Sequence, residues 1–166
     1  MKRSLFIAAI LCLLTGQTFG QEVQFSAFAD WRIRISSHDV LVAGEDLVGT
    51  YTTSPNHARL TVQLGADTYD NRMKNQWSVQ VQGRARDWDK CLQLYIRRTG
   101  EGSGARFDKA LKDGEVYKAI TKSPKKFFTC QGWREGIPIQ FELRGVSVLL
   151  PAKTYSLELI FTIIDD

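Results

Sequence analysis

Gln76-Trp77-Ser78-Val79-Gln80-Val81-Gln82 (QWSVQVQ) decides the fold class. Trp77, Val79 and Val81 occupy every second position, with Gln76, Ser78, Gln80 and Gln82 between them. Side chains of an extended chain alternate between two faces, so this segment is a strand with one packed face and one wet face. Antiparallel sheets read this way; parallel strands, buried on both faces, read as continuous apolar runs.

The period of two extends outward from this segment. On its N-terminal side, Ala58 to Leu64 sets Leu60, Val62 and Leu64 against Arg59, Thr61 and Gln63. Residues 23–35 place Val23, Phe25, Ala27, Ala29, Trp31, Ile33 and Ile35 on one face and read as a single strand. Asp39 to Val42 and Leu47 to Thr53 are short extended pieces, the second stopped by the turn cluster Ser54-Pro55-Asn56. On the C-terminal side, Cys91 to Arg97 and Lys126 to Thr129 read as strands. Ile137 to Leu143 and Tyr155 to Ile164 alternate throughout. Gly100 to Gly104 reads as a flexible turn. Phe107 to Thr121 is the poorest strand candidate, with room for one helical turn over Val116 to Ile120.

Eight or nine short strands with polar turns, and no long amphipathic helix, predict an all-β protein: a two-sheet antiparallel sandwich. Ig-like topology is the first expectation, a jelly roll the second and a closed barrel the third. The 166 residues suit one domain. Hydrophobic residues make up 43% of the chain, which excludes a disordered one. The net charge of +4 is weak for a nucleic-acid binder, and none is expected as a partner.

Residues 1–20 have the plan of a secretory signal peptide. Lys2 and Arg3 precede the apolar run Leu5 to Leu14, and Thr18-Phe19-Gly20 offers small residues where a peptidase reads. The run is about half of what a membrane-spanning helix needs, roughly 20 residues. Cleavage after Gly20 would leave residues 21–166 as one sandwich domain, secreted, periplasmic or on the cell surface, with no membrane span. Lys2 and Arg3 would leave with the leader, lowering the charge from +4 to +2. Cys12 would leave too, so Cys91 and Cys130 would remain. An even pair in an oxidising compartment predicts a disulfide, worth about 4 kcal/mol for a loop of this length.

Little in the sequence points to chemistry. His38 and His57 follow turn residues, lack partners at ligand spacing and read as exposed loop histidines. Gly100-Glu101-Gly102-Ser103-Gly104 lacks the Lys of a phosphate-binding loop. Asp87 and Asp89 flank Trp88 and would share one strand face, a pairing known from sugar hydrolysis; a charge-balanced turn explains them as well. Asp67, Asp70 and Asn71 fall short of a calcium ligand set. No cofactor, metal or enzymatic activity is expected. Lys118, Lys122, Lys125 and Lys126 form the densest basic stretch, beside Phe127 and Phe128, and read as a solvated rim. Trp133, in a glycine-flanked loop, and Trp88 are the candidate ligand-binding residues, of the kind that stack on a glycan or anchor a partner.

Leu150-Pro151-Ala152-Lys153-Thr154-Tyr155-Ser156-Leu157-Glu158-Leu159-Ile160-Phe161-Thr162-Ile163 resembles the last strand of bacterial pilin-type domains and their spore-coat-like relatives. Lys153 stands where those domains usually have Gly, and the cysteine they place early is absent. The resemblance implies an Ig-like sandwich that self-assembles by strand addition, taking a missing strand from a neighbour's N-terminal extension. Val23, Phe25 and Ala27 match the alternating apolar donor. Tyr155, Leu157, Leu159 and Phe161 match the strand that receives or flanks it. The expectation is thus an exported, non-enzymatic structural or surface subunit. The alternative is a monomeric secreted module that binds glycans or an envelope protein.

Overall fold

The computed structural model describes residues 3–6, 22–27, 31–35, 49–63, 76–104, 111–147, 149–151 and 153–165. His38, Asp39 to Val42, Asp67, Asp70 and Asn71 lie outside them. The described residues form twelve strands: β1 (Arg3–Phe6), β2 (Glu22–Ala27), β3 (Arg32–Ile35), β4 (Gly49–Thr52), β5 (Ala58–Gln63), β6 (Gln76–Asp87), β7 (Gln93–Arg98), β8 (Ser103–Gly104), β9 (Lys118–Ala119), β10 (Lys125–Gln131), β11 (Arg134–Val146) and β12 (Ser156–Asp165). All pairings are antiparallel.

The protein is a two-sheet antiparallel sandwich, as the strand pattern requires. The small sheet has the order β10-β6-β12. The large sheet has the order β2-β5-β11-β7-β9, with β4 and β8 adding to the free lengths of β11. A separate ladder joins β1 to β3. No helix among the described residues is long and apolar enough to cross a membrane.

Inward positions follow the alternation. Trp77, Val79 and Val81 of β6 face Leu60 and Val62 of β5 and Ile137, Ile139 and Leu143 of β11, and all are buried. Burying such side chains is the main stabilising term, about 1.5–3 kcal/mol each. Trp77 also donates its indole N–H to the Gly132 carbonyl at 2.7 Å, so the largest core side chain leaves no polar atom unpaired. Phe127 and Phe128 are fully buried, because a register shift between Lys126 and Phe128 turns both rings inward.

Three expectations are corrected. The stretch 23–35 is divided between two ladders: β2 pairs with β5 in the large sheet, whereas β3 pairs with β1, which lies within the expected leader. The helical turn over Val116 to Ile120 is replaced by β9, whose pairing to Tyr95 and Ile96 gives its backbone tertiary partners that a lone turn lacks. Cys91 and Cys130 are both free. A Cβ on Gly145 would strike the Cys91 carbonyl, so Cys91 sits beside that end of β11, whereas the Cys130 thiol accepts a hydrogen bond from Arg134 Nε at the other end, at 3.3 Å. Eleven residues of strand separate Arg134 from Gly145, on the order of 35 Å. A disulfide needs Cα atoms within about 7 Å.

Several polar side chains are buried against the alternation rule. Arg98 is 3% exposed and reaches the carbonyls of Asp113 and Leu111 and the carboxylates of Glu101 and Glu115. It ties the chain after β8 to the end of β7. Gln140, also buried, accepts from Arg97 Nε at 2.8 Å and donates to the Thr53 carbonyl at 2.7 Å. Arg98 and Gln140 are thus paired, as burial demands, whereas the buried Tyr117 hydroxyl has no hydrogen-bond partner.

Candidate functional site

A sandwich of open sheets has four edges, and their treatment here is unequal. On one side, β9 ends the large sheet and β10 ends the small one. Lys118 of β9 donates its ammonium to the carbonyls of Lys126 and Phe127 on β10, at 3.1 and 2.9 Å. Lys112 pairs with Thr129 by two backbone hydrogen bonds of 3.0 Å. The Thr129 N–H and C=O and the Lys126 and Phe127 carbonyls on β10 are therefore occupied. The alternation pattern carried no sign of this role for Lys112 and Lys118, since sheet order is not local information.

On the opposite side, β2 ends the large sheet and β12 ends the small one. β12 runs for ten residues, paired to β6 from Ser156↔Asp87 to Asp165↔Trp77. Among the described residues its other edge has no ladder partner. In an antiparallel strand every second residue aims its N–H and C=O away from the partner, so this edge presents a row of unused backbone groups. Leu157 is buried, and Leu159, Phe161 and Ile163 are partly buried against the core. Tyr155 is buried just before the strand and donates its hydroxyl to the Pro151 carbonyl at 2.8 Å. Burial pushes the Tyr155 phenol up from its ordinary pKa. Long, apolar, uncovered edges are the places where a sheet accepts another chain.

β2 lies beside this edge without joining it. It pairs to β5 in the register Val23↔Val62, Phe25↔Leu60 and Ala27↔Ala58. The Phe25 ring stacks on Phe161 with centroids 5.2 Å apart and meets Phe141 edge-on at 6.4 Å. The structure thus brings Phe25 and Phe161 into contact and places the β2 backbone, Val23 and Ala27 included, along the same seam.

Trp88 and Trp133 do not form one site. Trp88 follows β6 and donates its indole N–H to the Leu92 carbonyl at 2.9 Å, with its ring against the core. Trp133 sits half-buried in the two-residue corner between β10 and β11, next to Gly132 at φ 79°. The corner lies by the start of β11 and Leu92 by its end.

Asp87 and Asp89 are both engaged. Asp87 pairs with Lys153, and Asp89 accepts the backbone N–H of Cys91 at 2.8 Å. That backbone hydrogen bond, ahead of the nearby lysines, lowers the Asp89 pKa, the opposite of what a general acid needs. His57 is not an exposed loop histidine. It is half-buried, edge-on to Trp31 at 6.4 Å and Phe141 at 6.3 Å, and burial lowers its pKa. Gly102 and Gly104 pack on β11, where a Cβ at either would meet the backbone of residues 133–137. No cluster of potential metal ligands occurs among the described residues.

Comparison of the chain with protein-family models, with characterised proteins and with solved structures yields no match.

Proposed function

We propose that this chain is an exported surface subunit that assembles by β-strand exchange, and acts as a structural component rather than an enzyme. The observation that carries the reading is the asymmetry of the small sheet: Lys112 and Lys118 engage the β10 edge, while the ten-residue β12 edge has no ladder partner among the described residues. A covered edge beside an open one is what a directional assembly requires, since only one side then accepts a new strand.

The segment best suited to add there is β2 of another copy. Its positions 23, 25 and 27 alternate as β12 does, and Phe25 already meets Phe161 across the seam. In the single chain β2 rests on its own β5 and only grazes β12. In the assembly, a subunit's β2 leaves its own β5 and adds along the β12 edge of the next subunit. The resemblance of residues 150–163 to the last strand of pilin-type domains supports the same reading.

The test is the size distribution of the purified exported chain, by light scattering after gel filtration, with and without a peptide of residues 21–36. Polymers that the peptide converts to a monomer–peptide complex support strand exchange. A stable monomer indifferent to peptide overturns it in favour of a complete binding module.

A further inference from the structure

On the outward side of β7 and β11 stand two arginines, Arg97 and Arg144, in unequal settings. Leu94 and Ile96 of β7 are buried in the core, so Gln93, Tyr95 and Arg97 face outward. The β11 register sets Arg144, Glu142 and Gln140 opposite them. Arg144 lies over the Tyr95 ring, 4.2 Å from its centroid, and its Nε donates to the Glu142 carboxylate at 2.7 Å. That pair of charges is closed on itself.

Arg97 has no carboxylate. Its guanidinium lies over the Tyr117 ring, 4.6 Å from the centroid, and its Nε donates to Gln140 Oε1 at 2.8 Å. Gln140 donates in turn to the Thr53 carbonyl at 2.7 Å, which ties the guanidinium to the backbone. Neither Nη group of Arg97 meets an acceptor among the described residues. A half-buried guanidinium held in this way has its orientation set and its charge unanswered.

The group beside it also lacks a partner. The pairing of β9 to β7, Tyr95↔Ala119 and Ile96↔Lys118, runs on to bring Tyr117 opposite Arg97. The Tyr117 hydroxyl is buried and makes no hydrogen bond. An acceptor beside it would remove the cost of that orphaned donor. Between Tyr95 and Tyr117 the outward residue of β9 is Ala119, whose methyl group rises least from the sheet.

We infer that this corner of the large sheet binds the carboxylate of a sugar acid. The two Nη groups of Arg97 present parallel donors that match the two oxygens of a carboxylate, and the Tyr117 hydroxyl turns to supply a third. The sugar ring lies over Ala119, against the tyrosine rings. The Tyr95 hydroxyl donates to Gln93 Oε1 at 2.8 Å, which leaves the Gln93 amide nitrogen for the sugar hydroxyls. An extended acidic peptide would seek a free strand edge as well as a cation. β7 offers none on this side: β9 pairs with it, the Ile120 N–H takes the Leu94 carbonyl and the Arg98 N–H is spent on the Gly114 carbonyl. The site lies at the end of the large sheet opposite β2 and does not depend on strand exchange.

The experiment titrates the purified chain with sodium glucuronate, with glucose and with sodium acetate, and follows backbone amide shifts by NMR. Glucuronate is expected to move the amides around Arg97, Tyr117 and Ala119, and glucose to move none. Arg97→Gln should weaken glucuronate binding about ten-fold, and Arg97→Lys, which keeps the charge and loses the paired donors, about five-fold. Tyr117→Phe should weaken it about three-fold. Lys90→Gln removes the same charge from the exposed β6–β7 turn and should leave binding within about two-fold. In each variant, amide shifts far from the substitution that match wild type show that the chain is folded. Equal losses in Arg97→Gln and Lys90→Gln would mean that net charge alone drives binding, and would overturn the site. Acetate that binds as tightly as glucuronate would overturn the sugar, and glucose that binds as tightly would overturn the carboxylate.

Discussion

Cys130 shows how one side chain's surroundings override a rule of composition. An even pair of cysteines in an exported chain predicts a bridge, yet the Cys130 thiol lies buried beside the Arg134 guanidinium and Cys91 lies exposed in the β6–β7 turn. Burial pushes the Cys130 thiol up, which further slows its reaction. In a Cys12→Ala chain, a thiol reagent should therefore count one cysteine in the folded protein and two after unfolding without reductant. A count of zero in both states would restore the disulfide. His57 makes a prediction in pH. Its pKa in the folded protein is lowered from 6.5 by burial, so the unfolded chain takes up the proton first as pH falls. The stability this contributes is present in full above about pH 6.5 and is lost as pH drops through the folded value. Wild type should thus lose melting temperature below about pH 6.5 faster than His57→Gln, while the gap between them stays constant from pH 7 to 8. Parallel curves at all pH values would remove His57 as the cause. Gly145, at φ 78°, packs where a Cβ would strike the Cys91 carbonyl. Gly145→Ala should cost on the order of 1–3 kcal/mol in a urea titration, and a neutral result would mean that the β6–β7 turn shifts freely.

The elements divide into those that local pattern specifies and those that it does not. β5, β6, β11 and β12 were legible because each carries three or more apolar residues at alternate positions, and one slip in register would expose them all. β8 and β9 have two residues each and no pattern, and they are strands only because β11 and β7 pair with them. The division between β2 and β3 is not visible in the sequence because Ala29 and Trp31 keep the apolar phase of Val23, Phe25 and Ala27, although the two strands pair in different ladders. The candidate site was legible in part. Phe25 and Phe161 could be named from their alternation, but which edges are covered depends on sheet order, and so Lys112 and Lys118 went unrecognised. Lys118 is the test of that cover. Lys118→Met keeps the alkyl stem and removes the donor shared by the Lys126 and Phe127 carbonyls. The expected loss is about 1–2 kcal/mol of stability. The variant should also gain concentration-dependent association in sedimentation, through the newly opened β10 edge. A variant that loses stability yet keeps the wild-type sedimentation profile would show that the Lys112 bridge alone protects β10.

At the scale of the whole molecule, the proposed contact between copies is the β12 edge of the small sheet. The β12 edge offers backbone hydrogen bonds and an apolar seam, neither of which depends strongly on ionic strength. Self-association through β12 should therefore persist, or strengthen, between about 0.05 and 0.5 M NaCl, a range over which surface charge is strongly screened. A positive charge placed on the edge acts in the opposite sense. Ile164 is 37% exposed near the end of β12, and Ile164→Lys puts an ammonium where an incoming strand would have to bury it. Edge lysines are a common natural device against strand pairing, at little cost to the host sheet when the position is already partly in water. Ile164→Lys should therefore leave melting temperature within a few degrees of wild type and shift the sedimentation profile towards monomer. If the wild-type assembly instead dissolves as salt rises and Ile164→Lys does not change it, charge rather than strand exchange holds the copies together, and the β12 edge is not the contact.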